Sequence, residues 1–137
     1  MVTPRLLVAV VDDESQVLHA IRRLLELADY HVALFVSGEA FLDSLGVSRP
    51  SCAVLDMHMT GISGLDVEAQ IRARKDEMPI IFITADDDLQ LHEQIKGLGR
   101  NRLLKKPFSS DELLSAVGAA VAGLFGSIGA ERQLGHD

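Results

Sequence analysis

Three aspartates, one threonine and one lysine in this chain have side chains suited to holding a divalent cation and a phosphoryl group. Asp12 and Asp13 follow the apolar run 6–11, Asp56 follows 53–55, and Thr84 follows 80–83. Lys105, Lys106 and Pro107 follow Leu103 and Leu104. If the four runs are parallel strands, these residues converge at the carboxyl edge of one sheet, where open α/β folds bind their ligands. Asp56 is the candidate nucleophile, since a carboxylate can attack phosphorus to give an aspartyl phosphate. Asp12 and Asp13 are candidate Mg²⁺ ligands, because Mg²⁺ takes oxygen donors and needs only one or two carboxylates beside phosphate and water. The Thr84 hydroxyl and the Lys106 ammonium can each hold a phosphoryl oxygen.

The elements that would carry these groups are legible in the periodicity. The run 6–11 is continuous and valine-rich, as a fully buried parallel strand should be. Val17, Leu18, Ile21, Leu24 and Leu25 then recur at helical spacing, closed by Asp29 and Tyr30. Residues 31–36 read as a second strand, and Ser37, Gly38 and Glu39 open a short helix through Phe41, Leu42 and Leu45. The stretch 57–64 has loop chemistry. A helix over about 65–75 follows, with a blurred apolar stripe, and Pro79 opens strand four at a position that tolerates proline. Asp86, Asp87 and Asp88 can cap a helix bearing Leu91, Ile95 and Leu98, ended by Gly97 and Gly99. A short strand over about 101–105 precedes a capping box, Ser109 with Glu112, which opens a last helix with Leu113, Val117, Val121 and Leu124. Strands alternating with helices predict an α/β fold. The expected architecture is a doubly wound five-stranded parallel sheet in the order 2-1-3-4-5, with helices on both faces.

A chain of 137 residues fits one domain. The expected division is a globular unit over 1–124 and a flexible tail over 125–137. The net charge of −7 argues against direct nucleic-acid binding, which draws its affinity from Lys and Arg on phosphates. The lone cysteine, Cys52, excludes an internal disulfide and is compatible with a reducing cytosol. The opening residues do not read as a signal peptide. No apolar run approaches the ~20 residues of a membrane span. A cytoplasmic protein without membrane attachment is therefore expected. His19, His31, His92 and His136 show no ligand spacing, and neither a G-x-G-x-x-G nor a Walker A motif is present.

Four segments together resemble the receiver domain of two-component response regulators: residues 10–14 (VVDDE), 55–59 (LDMHM), 81–85 (IFITA) and 105–108 (KKPF). The resemblance spans roughly residues 5–124. It implies that Asp13 and Asp56 bind Mg²⁺ directly, that the His58 backbone carbonyl supplies a further oxygen, and that Asp12 acts largely through water. It selects Lys106 over Lys105, because the lysine before a cis proline faces the phosphate. It places His58 and Asp86 on either side of the phosphoryl group, where they would tune its hydrolysis. It further implies a histidine kinase or phosphotransfer protein as donor, and an output partner on the face of the fourth helix, fifth strand and fifth helix. A homodimer is compatible with it. The chain would catalyse only its own phosphorylation and dephosphorylation. It departs from the family pattern at Thr60, where proline is usual, at Leu103, where an aromatic is usual, and at Arg100, where a small residue is usual. Two other readings remain. One is an interaction module that keeps the fold and never uses phosphate. The other is a Mg²⁺-dependent phosphatase, which would need a second aspartate where His58 stands and a substrate cap.

Overall fold

A computed structural model describes residues 5–85, 89–98 and 101–123. The tail expected over 125–137 lies outside them, as do Asp86 and Arg100. Five strands alternate with five helices: β1 (Leu7–Val11), α1 (Ser15–Leu27), β2 (His31–Phe35), α2 (Gly38–Ser44), β3 (Cys52–Asp56), α3 (Gly64–Ala73), β4 (Ile80–Thr84), α4 (Leu89–Lys96), β5 (Asn101–Lys105) and α5 (Ser110–Val121). All strand pairs are parallel and the order is β2-β1-β3-β4-β5, as the alternation predicts.

The core has two halves, one on each face of the sheet, because successive strand side chains point to opposite faces. Val8, Val10, Cys52, Val54, Ile81 and Ile83 pack on one side with Leu18, Ile21 and Leu25 of α1 and Leu113 and Val117 of α5. Ala9, Val11, Ala53, Leu55, Ile80 and Phe82 pack on the other with Phe41, Val67, Ile71 and Ile95 from α2, α3 and α4. The three central strands are buried almost throughout, which is why each reads as an unbroken apolar run. Burial pushes the Cys52 thiol up to about 12, so it behaves as a small inert core residue.

Element ends differ from the periodicity at particular points. Pro79 sits just before β4 rather than at its first position, and its carbonyl accepts from Ala53 N at 3.1 Å. Helix α3 starts one residue early, at Gly64. A Cβ there would meet the Asp56 carbonyl oxygen at 2.9 Å, so only glycine lets α3 begin against the end of β3. Its N-cap is Ser63, in a reciprocal box with Asp66, a second capping box beside the expected Ser109–Glu112 pair. The blurred stripe of α3 comes from Glu68, which is buried and paired with Arg72 (Nε–Oε2 2.9 Å).

Candidate metal and phosphoryl site

The chain leaves β1 for β2 on one side of the sheet and reaches β3 on the other. The carboxyl ends of β1 and β3 therefore flank the crevice where the strand order reverses. Pairing continues past the strand ends: Met57 N donates to Ile83 O at 2.9 Å, and Lys106 N donates to Thr84 O at 2.7 Å. These bonds set Asp56, Thr84 and Lys106 along one edge.

Asp12, Asp13 and Asp56 each present a carboxylate oxygen, all within 4.8 Å of one another. Asp12 is fully buried, Asp56 is 5% exposed, and Asp13 faces solvent. One oxygen of each has a donor. Glu14 N donates to Asp12 Oδ1 at 2.9 Å, and His58 N donates to Asp56 Oδ1 at 3.3 Å. Thr60 donates twice to Asp13 Oδ2, from N at 3.0 Å and from Oγ1 at 3.2 Å. Asp12 Oδ2 is buried without a hydrogen-bond partner. Lys106 Nζ approaches it only to 3.8 Å and lies 3.7 Å from Glu14 Oε1.

The electrostatics follow from this crowding. Burial raises the Asp12 carboxyl from 3.8 to about 6. The Glu14 N–H and Lys106 pull it down and Asp56 pushes it up. Asp56 is also raised, again mainly by burial, with Lys106 and the His58 N–H opposing and Asp13 adding repulsion. A buried acceptor with no donor, inside three mutually repelling carboxylates, is an arrangement that a hard cation with oxygen preference relieves. The donor set, oxygen only, therefore fits Mg²⁺.

The expected site residues thus meet at one edge: Asp12, Asp13 and Asp56 as a cluster, Lys106 against Asp12, and Thr84 buried at the end of β4. Lys106 is half-buried, whereas Lys105 is exposed, and the Lys106–Pro107 bond is cis. His58 is exposed in the loop after β3. Two contacts are not evident in the motif spacing. Glu14 shares Lys106 with Asp12, and Thr60 holds Asp13 from 47 positions away.

Comparison with known proteins agrees with this fold. The response regulator receiver domain model matches residues 8–118. The chain is 38% identical over 114 residues to the response regulator MprA of Mycolicibacterium vanbaalenii, covering 82% of this chain and 48% of that protein. It is 34% identical over 112 residues to the response regulator protein TodT of Pseudomonas putida (82% and 49%). It is 37% identical over 115 residues to the transcriptional regulatory protein TdiR of Thauera aromatica (84% and 51%). The chain spans about half the length of the curated relatives it matches. Among solved structures, the Vibrio cholerae chemotaxis protein CheY4 superposes with a TM-score of 0.79 at 22% identity, covering 85% of this chain and 99% of that one. The receiver domain of an HD domain-containing protein from Pseudomonas fluorescens gives 0.80 at 25% identity (90% and 92%). No helix among the described residues is long and apolar enough to cross a membrane. With the 2-1-3-4-5 sheet and the acidic cluster at its switch point, these matches make the chain a member of the response regulator receiver domain family, a signalling module of two-component systems.

Proposed function

We propose that Asp56 accepts a phosphoryl group from the phosphohistidine of a histidine kinase or phosphotransfer protein, and that the aspartyl phosphate switches a protein-interaction surface. The observation that carries this reading is the buried, unpartnered Asp12 Oδ2 beside Asp13 and Asp56, which Lys106 only partly neutralises. A carboxylate oxygen of Asp56 attacks phosphorus as the donor's P–N bond breaks, and the departing imidazole nitrogen keeps the electron pair and takes a proton from solvent. The Lys106 ammonium and the Thr84 hydroxyl hold two equatorial oxygens, where charge collects in such transfers. Asp12, Asp13, Asp56 and the His58 carbonyl are the residues that would hold Mg²⁺. When bound, it supplies charge neutralisation for the transferring group. Hydrolysis returns the carboxylate, and His58 and Asp86 are the residues that would tune its rate. Chemistry is confined to this self-phosphorylation and self-dephosphorylation.

The receiver unit is residues 1–124, with 125–137 as a tail, acting in the cytoplasm. Output passes through the face of α4, β5 and α5 to a partner protein or to a domain of a longer chain, without nucleic-acid contact by the receiver itself. Treatment with a small acyl phosphate and Mg²⁺, followed by intact-mass measurement, tests the reading. One phosphoryl group is expected on the wild type and none on Asp56→Asn. Equal modification of both would overturn the assignment. An unmodified wild type would favour a module that works without phosphate.

A further inference from the structure

Thr60 stands where proline is usual in the family, and its two donors do something no proline could. Its N–H and its hydroxyl both end on Asp13 Oδ2, at 3.0 and 3.2 Å. The loop that carries it is itself fixed. His58 N binds Asp56, Gly64 N binds Met57 O at 3.3 Å, and Ser63 and Asp66 close the capping box. Gly61, directly after Thr60, takes φ +88°, and a Cβ there would meet Glu39 Oε2 at 2.8 Å. Thr60 therefore holds one oxygen of Asp13 from a loop that is itself hydrogen-bonded at both ends.

We infer that Thr60 is a positioning residue that restricts Asp13 to one metal-facing oxygen and so selects Mg²⁺ against Ca²⁺. The inference rests on the proposed reading of the site. Ca²⁺ takes six to eight oxygens and accepts bidentate carboxylates, whereas Mg²⁺ takes six ligands in an octahedron. Bidentate use of Asp13 would break both Thr60 bonds. Asp12 is restricted in the same way, because Oδ1 is bound by Glu14 N and Oδ2 alone is unpartnered. Asp56 must keep an oxygen for phosphorus. The carboxylates together then offer single oxygens, which suits Mg²⁺ with its retained waters and denies Ca²⁺ the bidentate carboxylates that its larger shell favours. Hydrogen bonds to ligating carboxylates typically change metal affinity by about 10- to 100-fold.

The test is Mg²⁺ and Ca²⁺ titration of the ¹⁵N-labelled full chain without phosphodonor, followed through the amides of Asp12, Asp13, His58 and Thr60. The variants are Thr60→Val, which removes the hydroxyl, Thr60→Pro, which removes both donors, and Thr60→Ser, which keeps both. Wild type and Thr60→Ser should prefer Mg²⁺. The Mg²⁺:Ca²⁺ affinity ratio should fall about 10-fold in Thr60→Pro and less in Thr60→Val. Ratios unchanged in both variants, or equal losses for both ions, overturn the role of Thr60 while leaving the Mg²⁺ site in place. A wild type that binds neither ion overturns the site itself.

Discussion

Lys106 Nζ stands 3.8 Å from Asp12 Oδ2, close enough for Coulomb attraction and too far for a hydrogen bond. The two residues come from opposite sides of the sheet's switch point, one after β1 and the other after β5. The lysine is the cation that opposes the burial-driven rise of both Asp12 and Asp56.

Lys106→Met should therefore raise both carboxyls further and remove a holder of the transferring group. Loss of one preorganised partner for developing charge typically costs a factor of about 10²–10³. The rate of mass gain with a small acyl phosphate should fall by about that factor, while circular dichroism stays that of the wild type. An unchanged rate would exclude Lys106 from the chemistry.

The Asp12 carboxyl gives the metal-free protein a signed pH dependence. Its folded value, about 6, lies above its ordinary 3.8, so the folded state holds the proton more tightly than the unfolded chain. Stability from this group is full below pH 3.8 and lost as pH rises to about 6, a difference of roughly 3 kcal/mol. Asp12→Asn should be more stable than wild type by a margin that grows through this window. Saturating Mg²⁺ should narrow that margin, since it binds and stabilises the folded wild type. Because a ligand must lose its proton, apparent Mg²⁺ affinity of the wild type should weaken below about pH 6. Thermal melts of both proteins across this range check the sign, and a margin independent of pH would contradict it.

Far from the site, Arg72 ties α3 to the amino ends of β4 and β5. Besides Glu68, it donates to Met78 O at 2.8 Å, Asp76 O at 3.0 Å and Asn101 Oδ1 at 2.9 Å. Arg72→Leu leaves a buried carboxylate unpaired and should cost about 3 kcal/mol. That corresponds to a fall of about 10 °C in thermal midpoint. Adding Glu68→Gln should recover part of it, because the stranded charge is gone. If the double variant is no more stable than the single one, the loss lies in the backbone bonds rather than the ion pair.

Leu103 is half-buried beside Ile95 and lines a groove of about 350 Å³ with His92, Lys96 and Arg102. It has no ring to turn inward and no hydroxyl to anchor. At roughly 25 cal/mol per Å² of apolar area, a modest change in leucine exposure falls well short of the ~5.5 kcal/mol that reverses a two-state population. Amide shifts induced by a beryllofluoride mimic of the phosphoryl group should therefore run through Thr84, Ala85 and α4. They should also persist in Leu103→Ala. Their loss in that variant would make the leucine the switch.

The order of the strands and the residues at their ends were legible in the sequence for a physical reason. A strand buried on both faces must be apolar without interruption, so the first polar residue marks the strand's end. That rule located Asp12, Asp56 and Thr84; β5 is a partly exposed edge strand that begins Asn101-Arg102, so only the short run Leu103–Leu104 pointed to the Lys105–Lys106 pair. It could not choose between the lysines from pattern alone, and burial separates them: Lys106 is half-covered and Lys105 is exposed. Glu68 and Arg72 stand four apart, a spacing that helices pair, but only the packing shows that this carboxylate lies buried on the apolar side of α3, which is why that stripe looked blurred. The joining of Thr60 to Asp13, of Arg72 to Asn101 and of Lys106 to Asp12 spans 47, 29 and 94 positions. Such pairs carry no periodic signal. They exist because the crossovers bring distant strand ends side by side, and the burial that isolates Asp12 Oδ2 is a property of all those elements packed at once.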